Sequence, residues 1–237
     1  MAGMLFSSLL ITEASLFIIG KSLWWLFFFG NLYLICYYIG QFVFPFSWTR
    51  VFPSWSVLFV GIAMAALTAP ASQEFKLGQG IFGICLILTF IILPIMSIKT
   101  YRIGLVDSVM SNISTFCAPL SLLSVAYLST FETPNKLMVL ALLLGSQALY
   151  AFVLVQLPRL INRPFNPGFA AFTFPFVISA ISFKKSLSFL GITGIWNLIV
   201  AFEIILSFAL VSYVLIWYVY FLAGKDIELV LFKKTKP

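Results

Sequence analysis

Phe172, Thr173, Phe174 and Pro175 stand at the centre of the apolar run Phe169-Ala-Ala-Phe-Thr-Phe-Pro-Phe-Val-Ile-Ser-Ala180. A proline inside a helix removes one backbone hydrogen bond and clashes with the carbonyl one turn back. At membrane depth the freed carbonyl must meet a protein partner or a wet cavity. An aromatic ring beside such a point can block a narrow path sterically and by dewetting, and can swing aside by a rotamer change. Residues two apart on a helix point in different directions, so only one of Phe172 and Phe174 can face a given axis. Phe174, next to the proline, is the first choice of gate residue and Phe172 the second. The chain holds 27 phenylalanines, so filler facing lipid is the competing reading for both.

Hydroxyls are the other polar groups inside apolar runs: Thr68, Ser108, Ser111, Ser114, Thr115, Ser121, Ser124 and Thr173, with Pro119 in the same stretch as Ser121. No Lys or Arg falls deep in a run, so an anion there would rely on hydroxyls, freed N–H groups and helix N-termini, all weak donors that let ions leave. A bond to the hydroxyl's own backbone or to a neighbouring helix is the plainer alternative for each one. Two carboxylates, Glu13 and Glu203, also lie in apolar runs. A charge at mid-bilayer costs about 2.5–3.5 kcal/mol, which makes both of them candidate intramembrane proton sites. Either could instead reach the headgroups or a neighbouring helix.

Composition removes several function classes. There is no histidine, and Cys36, Cys85 and Cys117 share no close spacing, so no metal site and no cofactor is expected. Without a nucleophile–base pair or a paired acidic motif, an enzyme is not expected either. The chain is 62% hydrophobic and 9% charged, with a mean hydropathy of +1.10. A water-soluble globule cannot cover itself with such a composition. The expected class is an all-α polytopic membrane protein. The net charge of +7 then reads as topology and lipid contact, not nucleic-acid binding.

The elements that must carry these groups are apolar runs of about 17–25 residues. Eight are expected, over 5–19, 23–44, 55–69, 81–98, 109–129, 137–157, 169–183 and 190–222. Residues 1–223 form the transmembrane domain and 224–237 a short basic tail. Arg50, Lys99, Arg102, Arg159, Arg163 and tail residues Lys225, Lys233, Lys234 and Lys236 fall on one side. Lys21, Lys76, Lys136, Lys184 and Lys185 fall on the other. The positive-inside bias puts both termini in the cytoplasm of a multi-pass plasma-membrane protein. Odd-numbered runs are rich in Ser, Thr, Gly and Pro, and even-numbered ones are greasier. This alternation suggests four helical hairpins, with the small, polar helices inside around a pore. Small residues are also common at ordinary helix contacts.

Three phrases resemble one family. Phe52-Pro53-Ser54-Trp55-Ser56-Val57-Leu58-Phe59-Val60-Gly61-Ile62-Ala63, with Leu67-Thr68-Ala69-Pro70, is similar to an inner helix of the tellurite-resistance/dicarboxylate transporter family. Ala118-Pro119-Leu120-Ser121 with Ala126-Tyr127-Leu128 is similar to the next inner helix, and Phe165-Asn166-Pro167-Gly168 through Pro175 to the one after. The family includes TehA-type bacterial proteins, fungal malate permeases and the slow-type anion channels of guard cells. The resemblance implies ten helices in five hairpins around a pore, a homotrimer with one pore per subunit, and a phenylalanine plug from the third of these helices, matched here by Phe174. It implies transport of small inorganic anions such as chloride or nitrate through a gated pathway. The alternatives are a carrier for C4-dicarboxylates such as malate, or tellurite-resistance efflux. Only four hairpins can be counted, so a first hairpin upstream of Met1 is expected.

Overall fold

The structure, a computed structural model, describes residues 1–44 and 46–223, with Ser108 described by its backbone only. The basic tail expected at 224–237 lies outside the described residues. Every regular element among them is helical, and six helical stretches are long and apolar enough to cross a membrane. Four of the long helices are regular. They are α2 (Phe17–Tyr38), α5 (Phe75–Ile98), α7 (Lys136–Ile161) and α9 (Trp196–Leu222). At about 1.5 Å per residue each reaches or exceeds the roughly 30 Å of a hydrocarbon core.

Five shorter helices and two 3₁₀ stretches pack with them. A ten-residue helix α1 (Ala2–Ile11) precedes α2, and two short helices, α3 (Trp55–Phe59) and α4 (Ala63–Thr68), precede α5. A long 3₁₀ stretch, Asp107–Cys117, leads into α6 (Ala118–Thr130), and a shorter one, Pro167–Phe172, leads into α8 (Phe174–Leu190).

The run expected at 5–19 is not one span. Thr12 closes α1, its hydroxyl donating to the Leu9 carbonyl at 2.6 Å, and a 3₁₀ turn at Ala14–Leu16 leads into α2. Ten residues reach only about 15 Å, half of a bilayer core. The run at 55–69 is likewise two short helices, and 190–222 opens with a turn. Gly191, at φ 70°, ends α8 in the left-handed conformation that glycine adopts without strain, and the Ile192 N–H returns to the Leu187 carbonyl at 3.0 Å.

Burial separates the long stretches into two kinds. In Val109–Thr130 and Pro167–Leu190, 78% and 50% of the most apolar portion is buried, against 11–33% for the four regular helices. The small, hydroxyl-rich stretches therefore sit inside, and the greasy ones present Leu, Ile and Phe outward. Consecutive elements pack together: α1 on α2, α4 on α5, α6 on α7, α8 on α9. The inner elements also pack in a row, α1 to α4 to α6 to α8. No comparable contact closes the row from α8 to α1 among the described residues, so it is an open arc.

Close approach inside the arc relies on small side chains. Ala63, Ala65 and Ala66 of α4 are fully buried. At Gly78 of α5, a Cβ would stand 2.7 Å from the Ala69 Cβ and 2.8 Å from the Thr130 Cγ2, so only glycine admits this contact. Trp24 of α2, also fully buried, donates its indole N–H to the Thr68 hydroxyl at 2.8 Å and so ties an outer helix to α4.

The basic residues fall at opposite ends of the bundle. At one end Lys21 pairs with Glu74 at 3.1 Å. At the other the Arg163 Nη1 donates to the Asp107 Oδ1 at 2.5 Å and the Tyr101 hydroxyl to the Gln156 Oε1 at 2.8 Å.

Candidate functional site

Three of the four inner elements change their winding partway along, and the three changes meet at the central cavity. Between α3 and α4 the Ala63 N–H reaches only to Val60 and the Ala65 N–H to Ile62, at 2.9 and 2.8 Å, which is 3₁₀ spacing. The stretch Asp107–Cys117 becomes α-helical at Ala118, and Pro167–Phe172 does so at Phe174. Pro119 and Pro175 each lie in the first turn of the α portion. The kinked continuous helix expected at Pro175 is therefore corrected. The proline begins a helix, where its missing N–H has no carbonyl to lose and its fixed φ suits the turn.

Phe174 follows Thr173, whose backbone (φ −82°, ψ −80°) makes the change of winding. Half-buried, Phe174 faces a small central cavity together with Met1, Ser56, Gly61, Pro119 and Leu122. The cavity volume is ≈ 10 Å³, room for about one water. At Gly61 a Cβ would run into the Met1 side chain and the Val57 carbonyl. Phe172 points elsewhere. It is fully buried, edge-on to Phe169 with ring centroids 5.2 Å apart. Phe176, also fully buried, packs on Tyr150 at 5.5 Å. Of the three rings, Phe174 alone lines the cavity.

The hydroxyls hold the arc together. Ser121 donates to the Cys117 carbonyl at 2.7 Å and meets Ser179 at 3.0 Å. Ser179 reaches the Pro175 carbonyl at 2.8 Å. Ser124 meets Ser186 at 3.0 Å. Ser114 donates to the Ala171 carbonyl at 2.6 Å, joining the two 3₁₀ stretches, and Thr115 donates to the Pro53 carbonyl at 3.0 Å. Thr68 donates to the Met64 carbonyl at 2.8 Å and Thr173 to the Ala170 carbonyl at 2.7 Å. Ser114 and Thr115 bond carbonyls of neighbouring elements, whereas Thr68, Ser121 and Ser179 bond the carbonyl one turn back in their own stretch. Ser121, Ser124 and Thr68 are buried between helices, not turned toward the cavity. Ser111 Oγ is buried without a partner, and the Ser108 side chain lies outside the described residues.

The two carboxylates part company. Glu13 is exposed, in the turn between α1 and α2. Glu203 of α9 is 1% exposed and faces the Gln147 amide of α7. Its Oε2, the Gln147 Nε2 and the Tyr150 hydroxyl are buried without hydrogen-bond partners. No Lys or Arg pairs with Glu203 among the described residues. Buried polar atoms without partners are costly in an apolar bundle, which sets this cluster apart from the rest of the α7–α9 contact.

Sequence reasoning missed Met1 in the cavity wall and Gln147 and Tyr150 beside Glu203. It also missed the serine pairing, although Ser179, Ser182 and Ser186 recur at helical spacing on one face of α8, a pattern that could have revealed it. The described residues contain no group of His, Cys, Asp or Glu able to hold a metal ion. No family model, curated protein or solved structure matches this chain.

Proposed function

We propose that this chain carries small anions across a membrane along the central arc, with Phe174 as a hydrophobic gate, in the manner of the tellurite-resistance/dicarboxylate transporter family. The carrying observation is the position of Phe174. Its ring stands half-buried in a cavity of ≈ 10 Å³ where the winding of three inner elements changes. Ser111 and Ser182 aside, the buried serines of the arc are engaged with carbonyls or one another, so the main donors left for an anion are backbone N–H groups of the irregular turns and the N-terminal ends of α6 and α8. Such a path binds weakly and conducts. In this reading the inner elements belong to helical hairpins around a pore, the subunits assemble as a trimer, and both termini face the cytoplasm of the plasma membrane.

A carrier for C4-dicarboxylates is the second reading, favoured by the buried Glu203 cluster, which could couple a proton to transport. Proteoliposomes loaded with a chloride-sensitive dye separate the two. Chloride or nitrate flux that is insensitive to a proton gradient supports the gated path. Saturable malate uptake that follows the proton gradient and disappears in Glu203→Gln supports the carrier. No flux of any of these anions would remove both.

A further inference from the structure

A second cavity lies apart from the central one, at the end of the bundle that holds Arg50, Lys99, Arg102, Arg159 and Arg163. It has a volume of ≈ 260 Å³ and sits where the wide turn Lys99–Ile103 after α5 meets the 3₁₀ stretch Asp107–Cys117 and the last turns of α7. This volume falls just short of the roughly 300 Å³ at which small-molecule sites begin. Its lining combines the polar residues Thr100, Gln156, Arg159 and Arg163 with the apolar residues Met110, Ile113 and Leu160.

The polar part of the lining is cationic and incompletely paired. Arg159 has neither an acidic nor a hydrogen-bonding partner among the described residues. Arg163 spends one nitrogen on the Asp107 carboxylate at 2.5 Å, and a guanidinium has five donors in all. Gln156 is committed, accepting from the Tyr101 hydroxyl and donating to the Phe152 carbonyl at 3.1 Å. Thr100, which also lines the cavity, holds a buried Oγ1 with no partner. The negative end of α7 draws on Arg159 as well, yet a planar fork can serve both.

We propose that this cavity binds the phosphate of an anionic phospholipid, with Arg159 and Arg163 on the phosphate oxygens and the Thr100 hydroxyl donating to a third. The apolar part of the lining identifies a lipid rather than free phosphate. Met110, half-buried, with the edges of Ile113 and Leu160, would meet the first carbons of the acyl chains, and a hydrated inorganic ion gains nothing from them. The site joins the end of α7 to the 3₁₀ stretch that carries Ile113, so an occupied site braces the irregular half of an inner element. Lipid binding here needs no anion path and stands or falls independently of transport.

The test uses the full chain in nanodiscs of equal phosphatidylglycerol and phosphatidylcholine, read by native mass spectrometry as lipid retained after release. The expected result is preferential retention of phosphatidylglycerol, falling about fivefold in Arg159→Gln, the effect of one cation at a membrane surface. Retention should also fall in Thr100→Val, which keeps the side chain's shape and removes only the hydroxyl, and hold in Arg159→Lys. Lys184→Gln, at the opposite end, should leave it unchanged. Equal retention in wild type and in both Arg159→Gln and Thr100→Val would overturn the assignment. So would complete displacement of the lipid by millimolar inorganic phosphate, which would point to a free-anion site.

Discussion

Phe172 and Phe174 are two residues apart, yet their surroundings demand different responses to truncation. Phe172 is fully buried, with a relative accessibility of 0% and a T-shaped contact to Phe169. Phe172→Ala should cost about 3–5 kcal/mol, the range for a buried ring whose neighbours relax only partly. Phe174 is half-buried, has no aromatic ring partner among the described residues and borders the central cavity. Much of its ring gains no packing, so Phe174→Ala should cost on the order of half as much. The six ring carbons removed there open on the order of 100 Å³, the share of about three waters, next to a space that now holds about one. The assay is reversible unfolding of the purified protein in mixed micelles by denaturing detergent, both variants side by side. Equal losses, or a larger loss for Phe174→Ala, would refute the distinction between a packed ring and a cavity-lining one.

Three further outcomes can be measured in the same way. Ser179→Ala should lower stability by about 0.6–1.7 kcal/mol, the value of one interhelical bond in a bilayer. A double-mutant cycle with Ser121→Ala should show coupling of that size, and zero coupling would deny the contact. Trp24→Phe deletes the donor to Thr68 and also shrinks the buried ring, so the hydrogen bond is read from the coupling with Thr68→Val, expected at about 1 kcal/mol. Gly78→Ala should cost about 1–3 kcal/mol because its Cβ meets Ala69 and Thr130. Gly80→Ala, with open space around it, should instead gain up to about 1 kcal/mol of helix propensity. Similar shifts at both glycines would contradict the close approach of α5 to the arc.

Much of the architecture was legible because membranes impose few options. Apolar runs of sufficient length specify helices, and hydroxyl-rich runs separate from greasy ones by where polar groups can be tolerated. The sorting of Lys21 and Glu74 to one end and Arg163 and Asp107 to the other follows from the same rule. The position of Phe174 beside Pro175 was also legible as a special point. Its cause was not, since a proline that kinks a helix and one that starts a helix read alike inside an apolar run. Only the tertiary structure shows Pro119 and Pro175 in first turns. For the hydroxyls the plainer alternative, a bond to their own backbone or a neighbouring helix, is what the structure shows. Which partner each one meets was not legible, because it is set by packing. Glu13 and Glu203 looked equivalent in composition. The turn at Thr12 separates them, leaving one exposed and the other enclosed with Gln147 and Tyr150.

The central claim, an anion path closed at Phe174, is tested most directly by single-channel recording of the full chain in planar bilayers with chloride on both sides. Phe174→Ala should give discrete anion-selective currents several-fold larger or more frequent than wild type, while Phe172→Ala in folded protein should not. Silent bilayers for Phe174→Ala, with protein shown to be inserted and folded, would contradict it.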